Sequence, residues 1–283
     1  MSTTVIYHKD CADGFTAAWA AWRALGDKAE YIPAQYGEPI PDCGDATHVY
    51  LLDICYPKDL LIDKFRHCKL TVLDHHKSAK ADLADLLDRP PRGWNIVFDM
   101  EKSGAMLAWE HFHPGSEAPR LVEYVQDRDL WQWKLPDSAG VNAVIDITDK
   151  TFDGWDWLEG SSRTHALALQ GEPMIRYKDA AIQQVCERAG FTILNGHKVP
   201  CVNTDPIWRS EVGNILGRNA PFAVVWYTLS DGTYIYSLRS DKDRPDEVVD
   251  VSEVAQLFGG GGHRHAASFR ASAPPVMVGG DNE

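Results

Sequence analysis

The sequence predicts an α/β protein: an N-terminal doubly wound, mostly parallel sheet, followed by a smaller α/β domain with a mixed sheet. Three observations predict it. β-rich runs alternate with helical patterns over the first half of the chain. Those runs are continuously apolar, as in parallel strands covered on both faces. From about residue 191 the pattern changes to short strands, with Asn-Gly and Asp-Gly pairs marking hairpin turns between them.

In order, "TTVIYH" (3–8) reads as a strand and "GFTAAWAAWRAL" (14–25) as a helix. "AEYIPA" and "THVYLLD" (47–53) read as strands, residues 57–66 as a helix, and "KLTVLD" (69–74) as a strand. Helical patterns follow at 103–112, with Ser103 as N-cap, at 119–127, and at 162–189. The last is long enough to join two domains, and the expected boundary separates 1–187 from 188–283. Beyond it, "FTILNGHKVPCVN", "FAVVWYTL" and "TYIYSLRS" read as strands, and a helix near 250–258 leads into "GGGGHRHAASF". The tail "APPVMVGGDNE" is expected to fray.

With 283 residues and 44% hydrophobic residues the chain has ample material for packed cores. Its apolar runs fall far short of the roughly 20 residues needed to span a bilayer. The start "MSTTVIYHKD" has no secretion-signal pattern, so a cytoplasmic protein without membrane attachment is expected. Cys11, Cys43, Cys55, Cys68, Cys186 and Cys201 form no CxxC pair and read as reduced thiols. A net charge of −13 argues against a protein that coats long nucleic acid, whose binding rests on many Lys/Arg–phosphate contacts. It leaves room for a small phosphorylated substrate, because bound metal ions supply positive charge locally.

In doubly wound sheets, ligands bind outside the carboxyl ends of the strands. His8, Asp10 and Asp13 follow the first strand, Asp53 follows "VYLL", and Asp74, His75 and His76 end the next. Singly, these groups also read as turn or capping residues; Asp13 could cap the helix behind it. Together, carboxylates and imidazoles suit Mn²⁺, and a bridging carboxylate is what a two-metal hydrolytic site needs. The cluster so read contains no thiolate. "YVQDRDLWQW" (124–133) adds Asp127 and Asp129, with Arg128 suited to a phosphate oxygen, or else simply a solvated helix end. At the far end, Gly260, Gly261 and Gly262 can turn N–H groups toward an anion, and a helix starting after them would add its dipole. His263, Arg264 and His265 add donors there. A flexible turn is the plainer reading of the glycines alone.

"HKDCADG", the Asp after "VYLL", "LDHH", "QDRDLW" and "GGGGHRHAAS" resemble, in family order, the DHH phosphoesterase superfamily with a DHHA1-type C-terminal domain. The first motif is spaced H-x-D-x-x-D here, where many members have H-x-x-x-D-x-D. The resemblance implies two Mn²⁺ ions, with Mg²⁺ or Co²⁺ as substitutes. His8, Asp10 and Asp53 would hold one, and Asp13, Asp53, His75 and Asp127 the other. Asp74 would orient an imidazole, and His76 would face the scissile phosphate, with Arg128 assisting. Arg239, Gly260, Gly261, Gly262, His263 and His265 would grip the remote part of the substrate. The implied activity is two-metal hydrolysis of phosphodiester bonds in dinucleotides or very short oligonucleotides. Pyrophosphate, polyphosphate and nucleoside bisphosphates are alternative substrates, and a catalytically silent nucleotide sensor is the non-enzyme alternative. The oligomeric state is left open, a homodimer included.

Overall fold

The structure is a computed structural model that describes residues 2–9, 11–160, 164–244 and 248–279. The chain divides into two compact units, Met1–Ile175 and Arg176–Glu283. The division falls inside the long helix expected to join them.

The first unit runs β1 (Thr3–His8), α1 (Ala12–Leu25), β2 (Ala29–Ala34), β3 (His48–Leu52), α2 (Lys58–Phe65), β4 (Lys69–Asp74), α3 (Lys77–Asp82), α4 (Ala84–Asp88) and β5 (Trp94–Phe98). It continues through α5 (Gly104–Phe112), α6 (Arg120–Asp129), α7 (Ser138–Ile147), α8 (Phe152–Glu159) and the first half of α9 (Thr164–Cys186). Five strands in the order β2-β1-β3-β4-β5 form one parallel sheet. The chain leaves β1 for β2 on one side and returns to β3 on the other. The switch point therefore lies between β1 and β3, where this order places its ligand crevice.

The period-two geometry of strands sends successive side chains into two cores. Val5, Leu52 and Leu73 pack with Trp19, Val122 and Trp155 on one face. Ile6, Leu51 and Val72 pack with Leu61, Phe65 and Leu83 on the other. Buried indoles find partners: Trp155 donates to Thr16 Oγ1 at 2.8 Å and Trp19 to Asp156 at 2.9 Å. Ser103 caps α5 by accepting from Met106 N, as its position implies.

The second unit holds the rest of α9, then β6 (Gly190–Leu194), β7 (His197–Asn203), α10 (Arg209–Gly217), β8 (Ala223–Thr228), β9 (Tyr234–Arg239), α11 (Val251–Leu257), β10 (Gly261–His263), β11 (Ala266–Ala271) and β12 (Met277–Val278). Its sheet, ordered β10-β11-β9-β8-β7-β6-β12, is antiparallel except for β7 beside β8. The expected mixed sheet is therefore present. Asn195 and Gly196 both have positive φ, as a two-residue primed turn requires.

Two expectations need correction. The tail does not fray throughout, because Met277 and Val278 pair with Thr192 and Phe191. The glycine run does not start a helix. Gly261–His263 is a strand hydrogen-bonded to β11, and the helix α11 precedes it. A Cβ on Gly260 would lie 2.1 Å from Ser268 O, and Gly262 has φ +141°, so close approach to β11 demands glycine at both positions. No helix among the described residues is long and apolar enough to cross a membrane.

Candidate metal centre

Three parallel strands deliver the site. β1 ends on His8, β4 ends on Asp74, and Asp53 directly follows β3. Asp53 takes the left-handed conformation (φ +56°), which costs a non-glycine residue about 1 kcal/mol or more. Its carboxylate lies between two imidazoles: Oδ2 is 3.3 Å from His8 Nδ1, and Oδ1 is 3.2 Å from His75 Nε2. Burial works against its charge, but the His75 and His8 hydrogen bonds outweigh it and hold Asp53 below the usual carboxylate range.

The tautomer of His8 follows from its neighbour. Gln35 Oε1 accepts from the Tyr36 backbone N–H at 3.1 Å, which identifies that atom as oxygen. His8 Nε2, 2.9 Å from the same oxygen, must then be a donor. In the neutral ring the lone pair sits on Nδ1, facing Asp53. Burial disfavours charge on His8, yet hydrogen bonds with Asp53 and Cys11 overcome this and raise its pKa to about 11.

Asp13 is buried in the first turn of α1, but it does not cap that helix. Its oxygens accept from Gly104 N at 2.7 Å and Ala105 N at 2.9 Å, at the N-terminus of α5. Gly14 lets α1 pack closely on the end of β1, since a Cβ there would meet His8 O at 2.3 Å. Burial, then the charges of Asp129 and Asp53, push the Asp13 pKa well up. His75 Nε2 lies 3.6 Å from Asp13 and 3.5 Å from Asp129. Burial opposes charge on His75 as well, but Asp129, Asp53 and Asp13 together raise its pKa.

Asp74 is fully buried. Its Oδ1 accepts from the backbone N–H groups of His75 and His76, and lies 2.6 Å from His76 Nδ1. The imidazole that Asp74 orients is therefore that of His76. Tyr36 Oη stands 3.1 Å from the same nitrogen. Asp74 Oδ2 is buried without a hydrogen bond among the described residues.

The structure redraws part of the expected set. The α6 carboxylate brought to His75 is Asp129, not Asp127. Residues two apart on a helix face different sides, and Asp127 points to the loop beyond α6. Its oxygens accept from Lys134 N at 2.8 Å and Leu135 N at 3.3 Å. Arg128 is paired with Asp146 of α7. Asp10 lies outside the described residues. A cysteine sulfur joins the cluster: donor atoms of His8, Cys11 and Asp53 lie within 4.8 Å of one another, as do those of Asp13, His75 and Asp129.

In the second unit, Arg239 donates to Leu238 O and Ser210 Oγ, both at 2.9 Å, and has no carboxylate within ion-pair distance among the described residues. Burial, then the nearby Arg209, lower its pKa to about 10. His265 Nδ1 is 3.0 Å from Ser240 Oγ, and Arg264 lies 3.9 Å from Asp250.

Gln35, Tyr36 and Cys11 were not anticipated as site residues. Gln35 and Tyr36 directly follow β2, so the rule that located the other groups could have found them. The donor set fits divalent cations. Asp13, Asp53 and Asp129 converge on one imidazole, and Asp74 Oδ2 is buried without a hydrogen bond among the described residues, an arrangement that a bound cation would relieve.

No protein-family model matches the chain. An uncharacterised protein, R106, of Acanthamoeba polyphaga mimivirus is 30% identical over 292 residues, covering 95% of this chain and 67% of that protein. Oligoribonuclease NrnB of Bacillus subtilis (strain 168) is 24% identical over 249 residues, covering 79% of this chain and 58% of its own length. The chain thus spans about three-fifths to two-thirds of these relatives. Among solved structures, a DHH domain from a member of a family of ribosomal proteins matches with a TM-score of 0.52 at 14% identity, covering 94% of this chain and 82% of that one. RecJ from Thermus thermophilus, crystallised with Mn²⁺, also gives 0.52, at 15% identity over 98% of this chain and 49% of its own. These two solved structures share the fold of this chain, and at 30% identity over 95% of its length the chain belongs to the same family as R106.

Proposed function

We propose that the protein is a divalent-metal-dependent phosphodiesterase that hydrolyses dinucleotides or very short oligonucleotides. The observation that carries this reading is Asp53, shared between His8 and His75 at 3.3 and 3.2 Å, with Asp13 and Asp129 closing the second side. His8 and Asp53 would hold one ion; Asp13, Asp53, His75 and Asp129 would hold the other. Two such ions supply a water of lowered pKa and positive charge against phosphoryl oxygens.

The chain's own residues do the rest. Gln35 fixes the His8 ring so that Nδ1 faces the ion. Asp74 holds the proton of His76 on Nδ1, which leaves Nε2 to donate to a phosphoryl oxygen when the ring carries a second proton. Arg239, with no carboxylate within ion-pair distance among the described residues, is suited to a substrate phosphate. The oligoribonuclease name of the Bacillus relative supports the choice of substrate. The net charge of −13 also favours a short ligand over an extended strand.

The test is Mn²⁺-dependent hydrolysis of a 5′-phosphorylated dinucleotide, run beside pyrophosphate and adenosine 3′,5′-bisphosphate, with Asp53→Ala as control. Mononucleotides released by the wild type and not by the variant are expected. Turnover retained in Asp53→Ala refutes the site. Phosphate released only from pyrophosphate or the bisphosphate refutes the substrate class.

A further inference from the structure

We propose that Cys11 is a metal ligand, so that the ion beside His8 sits in a thiolate–imidazole–carboxylate site. This rests on the metal-dependent reading above and names a donor that reading did not include.

Cys11 is the N-cap of α1, with extended backbone (φ −120°, ψ 137°), and its side chain makes no capping hydrogen bond. Its carbonyl instead takes the first helical bond, from Phe15 N at 3.1 Å. The thiol is thus not used by the helix, and it faces His8 instead. Three other cysteines differ: Cys43, Cys55 and Cys68 donate to the nearby carbonyls of Pro41, Tyr56 and Phe65. Cys11 Sγ, a His8 ring nitrogen and an Asp53 oxygen lie within 4.8 Å of one another. Two ligand bonds, about 2.3 Å to sulfur and about 2.0–2.1 Å to nitrogen or oxygen, span nearly that distance. His8 presents Nδ1 because Gln35 occupies Nε2. Among the described residues, Cys11 is the one thiol that joins a metal-binding group.

The donor type predicts the ion. Sulfur favours Zn²⁺ and Co²⁺ over Mg²⁺, whereas the Asp13, His75 and Asp129 side offers only oxygen and nitrogen. The two positions are therefore chemically unequal. Loading the first releases the thiol proton to solvent as the sulfur–metal bond forms.

Full-length protein stripped of metal is titrated with Co²⁺, and the near-ultraviolet sulfur-to-cobalt charge-transfer band is followed in wild type and Cys11→Ser. The band should appear in wild type and vanish in the variant, with loss of one bound equivalent. X-ray absorption on the wild type alone should show one sulfur neighbour per two cobalt ions, a readout independent of whether the variant folds. Co²⁺ bound in wild type without the band, or a band that survives in Cys11→Ser, overturns the thiolate ligand while leaving a two-metal site. No bound Co²⁺ at all overturns both readings.

Discussion

Gly104 opens α5 directly against the metal centre, and Gly104→Ala tests how tightly that centre is built. An added Cβ would lie 2.5 Å from Asp53 Cβ, 3.0 Å from Asp53 Cγ and 3.0 Å from Asp13 Oδ2. Ordinary contact begins at 3.4 Å, so about 0.9 Å of displacement is needed. Neither neighbour yields easily. Asp53 is backbone-constrained in the left-handed region, and Asp13 is held by two N–H groups of the same helix turn. Overpacking of this kind costs about 1–3 kcal/mol. For a unit of this size that corresponds to a Tm lower by about 2–12 °C. The effect on catalysis should be larger, because a shift of about 1 Å in a catalytic group can cost roughly 100-fold in rate. Thermal unfolding and dinucleotide hydrolysis, measured on the same preparations, check both. A variant with unchanged Tm and unchanged turnover would show that Asp53 and Asp13 are not fixed by α5, and the packing argument would fail.

Other perturbations have their own expected outcomes. Asp129→Asn should lose one metal equivalent with little change in Tm. Asp127→Ala should keep both equivalents but lose about 1–3 kcal/mol, because Lys134 N and Leu135 N lose their acceptor; metal counting and denaturation separate the two. Tyr36→Phe should lower kcat by up to about tenfold without altering the fold, since one contact to His76 worth about 1 kcal/mol is removed. His8, whose pKa is raised to about 11, is protonated at neutral pH and must lose that proton to bind a cation. Metal affinity should therefore rise with pH, by about tenfold per unit for each proton displaced, and calorimetry in buffers of different ionisation enthalpy should detect the release. The sign reverses for the stability of metal-free protein. The contribution of His8 is complete below its unfolded value of 6.5 and is lost as pH rises through about 11. A metal-free Tm that climbs across that range would contradict this assignment.

The site was legible where it lies at strand ends. His8, Asp53 and Asp74-His75-His76 each follow a continuous apolar strand, and parallel pairing gathers such ends on one edge. Asp129 was not legible, because choosing it over Asp127 depends on the phase of α6, and Asp127 lies nearer the apolar Tyr124-Val125 pair. Gln35 and Tyr36 escaped notice because neither is a charged group at neutral pH, although they follow β2 by the same rule. The helix α7 was hidden by its β-branched content, which packing against α6 and the core overrides. Similarly, the glycine run looked like an anion loop, when much of its composition serves the close passage of β10 along β11.

The carboxylates gathered around His75 have a consequence for the protein's lifetime in a cell. Asp13, Asp53 and Asp129 repel one another in the folded chain and far less in the unfolded one, and left-handed Asp53 adds strain. On the metal-dependent reading, cations that relieve this bind the folded chain alone, adding about 2.7 kcal/mol at a concentration 100 times Kd. Metal supply then governs turnover as well as activity. A cell short of divalent ions would hold more of this chain unfolded, exposed to proteolysis, and would clear it faster than a well-supplied one.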